Sequence, residues 1–495
     1  MAAKKITIIP GDGIGPEVMS VTLKVIAAAG VNLEYEHCIA GETAFSKGIT
    51  SGVPTETVDS LDRTRLALKG PLATPVGHGG KSANVTLRKL FETFANIRPA
   101  KELPGVPTPF SGRGIDLVVV RENVEDLYAS IEYMQTATVA QGLKLISRLG
   151  CEKIIRTAFE YARSEGRKSV HCTSKANIMK LTEGLFKKVF EEIAPEYPDI
   201  VAHHIIVDNL AHQLVIKPEE FEVIVATNMN GDIISDLTSG LIGGLGFAPS
   251  ANIGDDVAIF EAVHGSAPDI AGKDIANPTA LILTATLMLR HIRELEAART
   301  IENALLYVLE RGEVTTRDVR KSGAKVVGTS EFADCVIKAF GKIPDRGAVL
   351  KLTPFSIPTV DAKSLSEKAP KGVLVGVDIF VDSLLSPQEL GTKLELAASD
   401  SQFFLKMMSN RGTQVYPTMG PGTACVDHYR CRFILRDNSD NTSGKTDVSD
   451  EAITKLLHAI SRDTALGGAG IRWMHLEKLI TLDGEKGYTL AQGES

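Results

Sequence analysis

The chain has 495 residues, more than one hydrophobic core usually serves, so two or three packed domains are expected and a small binding module is excluded. Hydrophobic residues at 43% and charged residues at 23% exclude a disordered or fibrous chain, and a net charge of −7 leaves no basic field of the kind that draws a protein onto nucleic acid. Six cysteines without CxxC spacing suit reduced thiols, no apolar run reaches membrane-spanning length, and the N-terminus lacks a signal or transit pattern; a cytoplasmic protein with no membrane or nucleic-acid partner is expected.

Lys5 to Ile9 reads as a buried strand, and Gly11-Asp-Gly-Ile-Gly-Pro-Glu17 turns into a helix running to about Ala29, with Pro16 suited to its first turn. The glycines miss the dinucleotide-binding fingerprint, whose third glycine would fall at Pro16. Gly79-Gly80-Lys81-Ser82 misses the P-loop, whose first glycine would fall at Pro75. Strand-like runs at Leu66 to Leu68, Ile115 to Val120, His204 to Val207 and Val223 to Ala226 alternate with helical stretches such as Ile178 to Ala194, the pattern of an α/β protein. Gly240 to Gly246 forms a glycine-rich turn, and Pro278 to Ala298 reads as one long, mostly apolar helix. Pro344, Pro354, Pro358 and Pro370 mark a linker at 341–370. Beyond it come strand (Val373 to Val381), helix (Pro387 to Ala398), strand (Phe403 to Met408), strand (Tyr429 to Leu435), helix (Glu451 to Ser461) and strand (Ile471 to Leu479). That is the βαββαβ order of a ferredoxin-like α+β domain, read as an assembly or stabilising module rather than a catalytic one.

The chemistry concentrates in the first two thirds. Asp232 and Asp236 lie four apart, so on a helix both carboxylates share a face and can converge on a hard cation such as Mg²⁺ or Mn²⁺. Their apolar neighbours Ile233, Ile234 and Leu237 make uncompensated charge costly there, and Asp208, at the end of an apolar strand, is a plausible third ligand. Arg88, Arg98 and Arg121, with Ser82 and Asn84 close to Arg88, suit a substrate carrying two or three carboxylates. Tyr128 and Lys175 are candidate proton-transfer groups, although both ordinarily titrate near 10.

Taken in order, Ile9-Pro-Gly-Asp-Gly-Ile-Gly-Pro-Glu17, Lys69-Gly-Pro-Leu72, Ser82-Ala-Asn-Val-Thr-Leu-Arg88, Arg121-Glu-Asn-Val-Glu-Asp-Leu-Tyr128, Lys175-Ala-Asn-Ile-Met-Lys180, Asn230-Gly-Asp-Ile-Ile-Ser-Asp236 and Glu261-Ala-Val-His-Gly-Ser-Ala-Pro268 closely resemble the isocitrate/isopropylmalate dehydrogenase family of β-decarboxylating dehydrogenases. Within it the chain resembles the isocitrate dehydrogenases, in the long bacterial homodimeric form of the Thermus type. The resemblance implies a non-Rossmann α/β fold with a large cofactor-binding domain (1–105 and 245–340), a small domain with a dimer clasp and the metal and substrate residues (106–244), and the added domain at 371–495. It implies that Ser82, Asn84, Arg88, Arg98, Arg121 and Tyr128 contact isocitrate, with Tyr128 protonating the enol left by CO₂ loss. Asp232 and Asp236 would bind metal with Asp208 of the partner subunit, while Lys175 of the partner subunit assists removal of the hydroxyl proton; the homodimer is then obligatory.

For the nicotinamide cofactor, the resemblance implies contacts from the loop Glu261 to Asn277 through Glu261, His264, Gly265, Ala267 and Asn277, with Thr74 and Asn177 nearer the nicotinamide. NADP-using relatives carry Lys-Tyr where this chain carries Asp269-Ile270. A carboxylate there accepts from ribose hydroxyls and repels a 2′-phosphate, so NAD is the expected cofactor, with Arg317 and Arg320 as residual phosphate contacts. Ser82 and Asn84 argue against an isopropylmalate side chain. Homoisocitrate differs by one methylene and remains a rival substrate, and a non-catalytic regulatory subunit is disfavoured because every acid and base is present.

Overall fold

A computed structural model describes residues 4–74, 81–319, 322–349, 352–353, 357–363, 370–418, 420, 422–436, 449–462 and 468–494. The chain forms two compact units, Met1–Ala129 with Lys144–Asp361, and Ser130–Leu143 with Ala362–Ser495.

The first unit is built on a ten-stranded mixed sheet. Its strands are β1 (Lys4–Ile9), β2 (Leu33–His37), β3 (Leu66–Lys69), β4 (Ala95–Lys101) and β5 (Asp116–Glu122); then, after a hairpin of β6 (Glu132–Met134) and β7 (Ala140–Gly142) that belongs to the second unit, β8 (Ser169–Ser174), β9 (Val201–Ile206), β10 (Val223–Ala226), β11 (Pro249–Ile253) and β12 (Ala258–Ala262). They lie in the order β2-β1-β3-β12-β11-β4-β5-β10-β8-β9. The two wings are parallel, and the centre, β12-β11-β4-β5, is antiparallel. Parallel strands covered on both faces read as continuous apolar runs, which is why Val118-Val119-Val120 and Val223-Ile224-Val225 are legible as strands and are wholly buried. The central antiparallel strands instead carry buried polar side chains, Asn96 and Arg98 on β4, Asn252 on β11 and Glu261 on β12. The site gathers on these.

The first βα turn packs closely on the loop after β12. Gly13 has φ of 57°, and a Cβ there would sit 1.9 Å from the Ser266 carbonyl oxygen, so only glycine fits. The helix expected over Pro278 to Ala298 is two helices, Thr279–His291 and Leu295–Arg311, broken where Arg293 adopts a left-handed φ of 68°. Two short strands, β13 (Val314–Thr315) and β14 (Lys325–Val326), pair in parallel. Among the described residues, no helix is long and apolar enough to cross a membrane.

In the second unit β15 (Gly372–Asp382), β16 (Phe403–Asn410), β17 (Thr413–Tyr416), β18 (His428–Leu435), β19 (Arg472–Leu482) and β20 (Glu485–Lys486) form an antiparallel sheet in the order β17-β16-β18-β15-β19-β20. Without the short β17 and β20, this is the ferredoxin-like arrangement, with the first and third strands central. The helices Pro387–Ala397 and Asp450–Ser461 complete the βαββαβ order. The first of these is announced by a capping box, Ser386 with Glu389, and by Pro387 in its first turn. The Ser130–Leu143 hairpin joins this unit through Gln135 Oε1 on His475 Nδ1 at 2.8 Å and the Thr138 hydroxyl on Asp427 at 2.5 Å.

Candidate functional site

Arg98 points from β4 and Arg121 from the end of β5, and both meet Asp232 on the helix Asn228–Leu241. Arg98 Nη1 donates to Asp232 Oδ1 at 3.2 Å and to Ser235 Oγ at 2.7 Å, and Arg121 Nη1 donates to the same Asp232 oxygen. The rest of the Arg121 fork is held by Asn228, through its carbonyl at 3.0 Å and its side-chain oxygen at 2.7 Å. Tyr128 donates its hydroxyl to Asp232 Oδ2 at 2.5 Å, and the Arg121 guanidinium lies 4.9 Å from its ring centroid. Burial raises the Tyr128 phenol above its ordinary value, and the Asp232 hydrogen bond raises it further. Tyr128 is therefore a protonated acid at neutral pH.

Burial would raise the Asp232 carboxyl, but Arg121 and Arg98 outweigh it and hold it below the usual carboxylate range. Asp236 is raised, by burial first and then, against the pull of Arg98, by the Asp232 charge. Two carboxylates one helical turn apart, half open to solvent at 35% and 58% exposure, with one destabilised by the other, suit a divalent cation chemically. Asp208 is elsewhere. It lies in the first turn of the helix Val207–Ile216, 68% exposed, where its carboxylate accepts from Lys175 Nζ at 2.5 Å. Among the described residues, no three His, Cys, Asp or Glu side chains converge as a metal site. The acids thus fall into two contact groups, Asp232 and Asp236 with Arg98 and Arg121, and Asp208 with Lys175.

Ser82 immediately precedes the helix Ala83–Leu90, which carries Asn84 and Arg88 one turn apart on a shared face. Arg88 Nη2 donates to Glu261 Oε1 at 2.9 Å, and the buried Lys69 ammonium reaches Glu261 Oε2 at 2.5 Å. Thr74 meets Ser82, hydroxyl to hydroxyl, at 3.0 Å. Asn84, Arg88, Arg98, Glu261, His264 and Gly265 line a cavity of about 110 Å³. Asn84 Oδ1, Arg88 Nε and His264 Nε2, on residues that line it, are buried without hydrogen-bond partners.

Among the remaining cofactor candidates, Asn177 is exposed in the turn after β8, and Asp269 and Ile270 form a short 3₁₀ turn after Ala267, whose φ is 40°. Asn277 donates to Asp318 at 2.9 Å. Arg317 is exposed, and Arg320, like Gly79 and Gly80, lies outside the described residues. Five residues that support the site escaped the sequence reading as functional: Asp12, Asn96, Asn228, Ser235 and Asn252. Asp12 accepts from the Ala73 and Glu42 N–H groups, fixing the backbone next to Thr74. The available signal was polar side chains alternating inside apolar strands, as in Ala95-Asn96-Ile97-Arg98.

Residues 5–336 match the isocitrate/isopropylmalate dehydrogenase family, and residues 372–494 match the C-terminal domain of bacterial isocitrate dehydrogenase. A Thermus thermophilus protein named isocitrate dehydrogenase [NADP] is 59% identical over 494 residues, 99% of this chain and 96% of its own length. A Rickettsia conorii protein of the same name is 43% identical, covering 99% of both chains. A crystal structure of a Thermus thermophilus protein, 59% identical, superposes with a TM-score of 0.93 over 100% of this chain and 97% of its own.

Both named relatives carry NADP in their names, which overturns the expectation of an NAD-dependent enzyme with NAD as cofactor. That expectation rested chiefly on the Asp269 carboxylate, with Arg317 and Arg320 as lesser phosphate contacts. Asp269 is exposed, so solvent and salt screen its repulsion of a phosphate. Lys273 also folds back onto the same turn, its ammonium donating to the Asp269 carbonyl at 2.6 Å, and so brings a cation to the loop.

Proposed function

Since the chain belongs to the isocitrate/isopropylmalate dehydrogenase family, we propose that it converts isocitrate to 2-oxoglutarate and CO₂ with reduction of NADP, in a metal-dependent site completed by a second copy of the chain. The observation that carries this is the convergence of Arg98, Arg121 and Tyr128 on Asp232 beside the Arg88–Glu261–Lys69 group.

Charge supports a tricarboxylate. The four cations Lys69, Arg88, Arg98 and Arg121 face three carboxylates, Asp232, Asp236 and Glu261, a surplus of one positive charge that a divalent cation raises to three. Isocitrate at neutral pH carries three negative charges. In this reading Ser82, Asn84, Arg88, Arg98 and Arg121 bind and orient the carboxylates, the guanidinium forks doing so bidentately. Asp232 and Asp236, with Asp208 of the partner subunit, would hold Mg²⁺ or Mn²⁺, which when bound supplies Lewis-acid polarisation of the oxygen at the reacting carbon. Lys175 of the partner subunit assists loss of the hydroxyl proton as hydride leaves for the nicotinamide, and Tyr128 returns a proton to the carbon from which CO₂ departs. The raised Tyr128 phenol keeps that proton until it is needed. Thr74, Asn177 and the loop through Glu261, His264, Gly265, Ala267, Asp269, Ile270 and Asn277 would hold the nicotinamide cofactor, and Lys273 and Arg317 are the cations available to its 2′-phosphate.

This reading requires a homodimer, because it takes Lys175 and Asp208 from the partner subunit. It is supported by the exposed apolar residues Ile178, Met179 and Leu181 beside Lys175, and Val215 and Ile216 on the Asp208 helix, a grouping that suits an interface. All six cysteines are free, which agrees with a cytoplasmic setting.

The test is the rate of cofactor reduction by purified protein with Mn²⁺ and D-isocitrate, comparing NADP with NAD and repeating with homoisocitrate. Faster reduction of NADP by isocitrate than by homoisocitrate is expected; turnover of homoisocitrate alone would reassign the substrate.

A further inference from the structure

Arg88 and Arg98 sit on different elements, a helix and a central strand, yet both have to face one small substrate. Between them runs a closed chain of hydrogen bonds. Arg98 Nε donates to Asn96 Oδ1 at 2.5 Å, Asn96 Nδ2 donates to Asn252 Oδ1 at 2.7 Å, Asn252 Nδ2 donates to Glu261 Oε1 at 2.8 Å, and that same oxygen accepts from Arg88 at 2.9 Å. Asn252 uses its remaining capacity too, accepting from Asn123 Nδ2 at 2.9 Å and donating to the Ile259 carbonyl at 3.1 Å. Asn96 and Asn252 are wholly buried.

We infer that Asn252 is a positioning residue that sets Arg88 and Arg98 relative to each other, and so fixes the spacing at which two substrate carboxylates are gripped. The inference rests on the reading of those arginines as isocitrate-binding groups. Its physical content is a polarity. The Asn252 oxygen faces two amide donors and its nitrogen faces a carboxylate and a carbonyl, so the amide is locked in one orientation and only a group with an acceptor on one side and a donor on the other fits. No aliphatic side chain supplies either half. An ionised carboxylate supplies the acceptor half but no donor, and it sets a second buried negative charge against Glu261 in a region whose other charges are Lys69, Arg88 and, through Asn96, Arg98.

Asn252→Ala and Asn252→Asp separate positioning from bulk stability. Asn252→Ala is expected to raise KM for isocitrate about 10- to 100-fold and KM for NADP by a clearly smaller factor, because Asn252 is linked to both arginines but reaches the cofactor loop only at Glu261. Asn252→Asp is expected to show the same defect at high pH and to lose it as pH falls, since the protonated carboxyl again offers an acceptor to Asn96 and Asn123 and a donor to Glu261. Profiles of wild type and Asn252→Ala over the same range remove the enzyme's own pH dependence. Folded dimers that keep the wild-type isocitrate KM, or an Asn252→Asp profile parallel to that of Asn252→Ala, would overturn the inference. Should either variant fail to fold, Asn96→Ala severs only the Arg98 arm and carries the same expectation of a raised isocitrate KM. A wild-type protein that does not turn over isocitrate would instead sink the substrate reading.

Discussion

Replacing Asp232 by Asn should lower kcat by about three orders of magnitude or more at saturating Mg²⁺ or Mn²⁺, while the protein remains folded and dimeric. The size follows from how many groups the carboxylate serves. It accepts from Arg98 and Arg121, of which Arg121 is 1% exposed, takes the Tyr128 hydroxyl, and is one of the two acids placed to hold metal. Asn keeps the shape and one acceptor but removes the charge that compensates two buried guanidiniums and draws a cation. A variant retaining wild-type kcat at saturating metal would refute the ligand role.

Arg432→Met is expected to destabilise the C-terminal unit by about 3–5 kcal/mol, the range found when one partner of a buried ion group is removed. Arg432 is wholly buried on β18. Its guanidinium grips Asp378 on β15 at 2.7 and 2.9 Å and Glu494 at 2.8 and 2.9 Å, and Tyr488 stacks on it at 4.7 Å. Methionine fills much of the volume but leaves the two buried carboxylates only their longer ion pairs, Asp378 with Arg430 at 3.8 Å and Glu494 with Lys406 at 3.6 Å. The pH dependence has a definite sign. Burial pushes the Glu494 carboxyl up, but the Ala491 N–H and Arg432 outweigh it, so its folded pKa lies below the unfolded value. Its stabilisation is therefore fully present above the ordinary carboxylate range and is lost as pH falls through the depressed pKa. Urea titrations at neutral and acidic pH should show the gap between wild type and Arg432→Met narrowing in acid; a constant gap would contradict the account.

Much of this fold could be read from pattern. Strands buried on both faces announce themselves as apolar runs, as at Val118 to Val120, and the C-terminal helices begin at ordinary caps such as Ser386 with Glu389. The substrate and metal residues were legible because charge leaving a hydrophobic strand, as at Arg121, needs a reason. What escaped has different physics. Asn96 and Asn252 look like isolated polar residues in strands, and their roles depend on strand neighbours distant in sequence. The break at Arg293 is a single left-handed residue in the charged segment Arg290-His-Ile-Arg-Glu294, where neither glycine nor proline marks it. The pairing of Lys175 with Asp208 across 33 residues is a tertiary contact, which spacing along the chain does not encode. Reading the cofactor from Asp269 failed because one exposed carboxylate was weighed without Lys273 beside it.

The central claim is that each active site is built from two chains, and mixed dimers test it most directly. Lys175→Met and Asp232→Asn should each be inactive alone with isocitrate, NADP and Mn²⁺. In a dimer carrying one of each, one site collects both defects while the other collects an intact Asp232 and an intact Lys175. Co-expressed and purified by two different tags, that mixed dimer is predicted to recover about half of the wild-type rate per dimer, because one of two independent sites is whole. Mixed dimers as inactive as either parent would show that Lys175 and Asp232 do not serve a shared site across the interface.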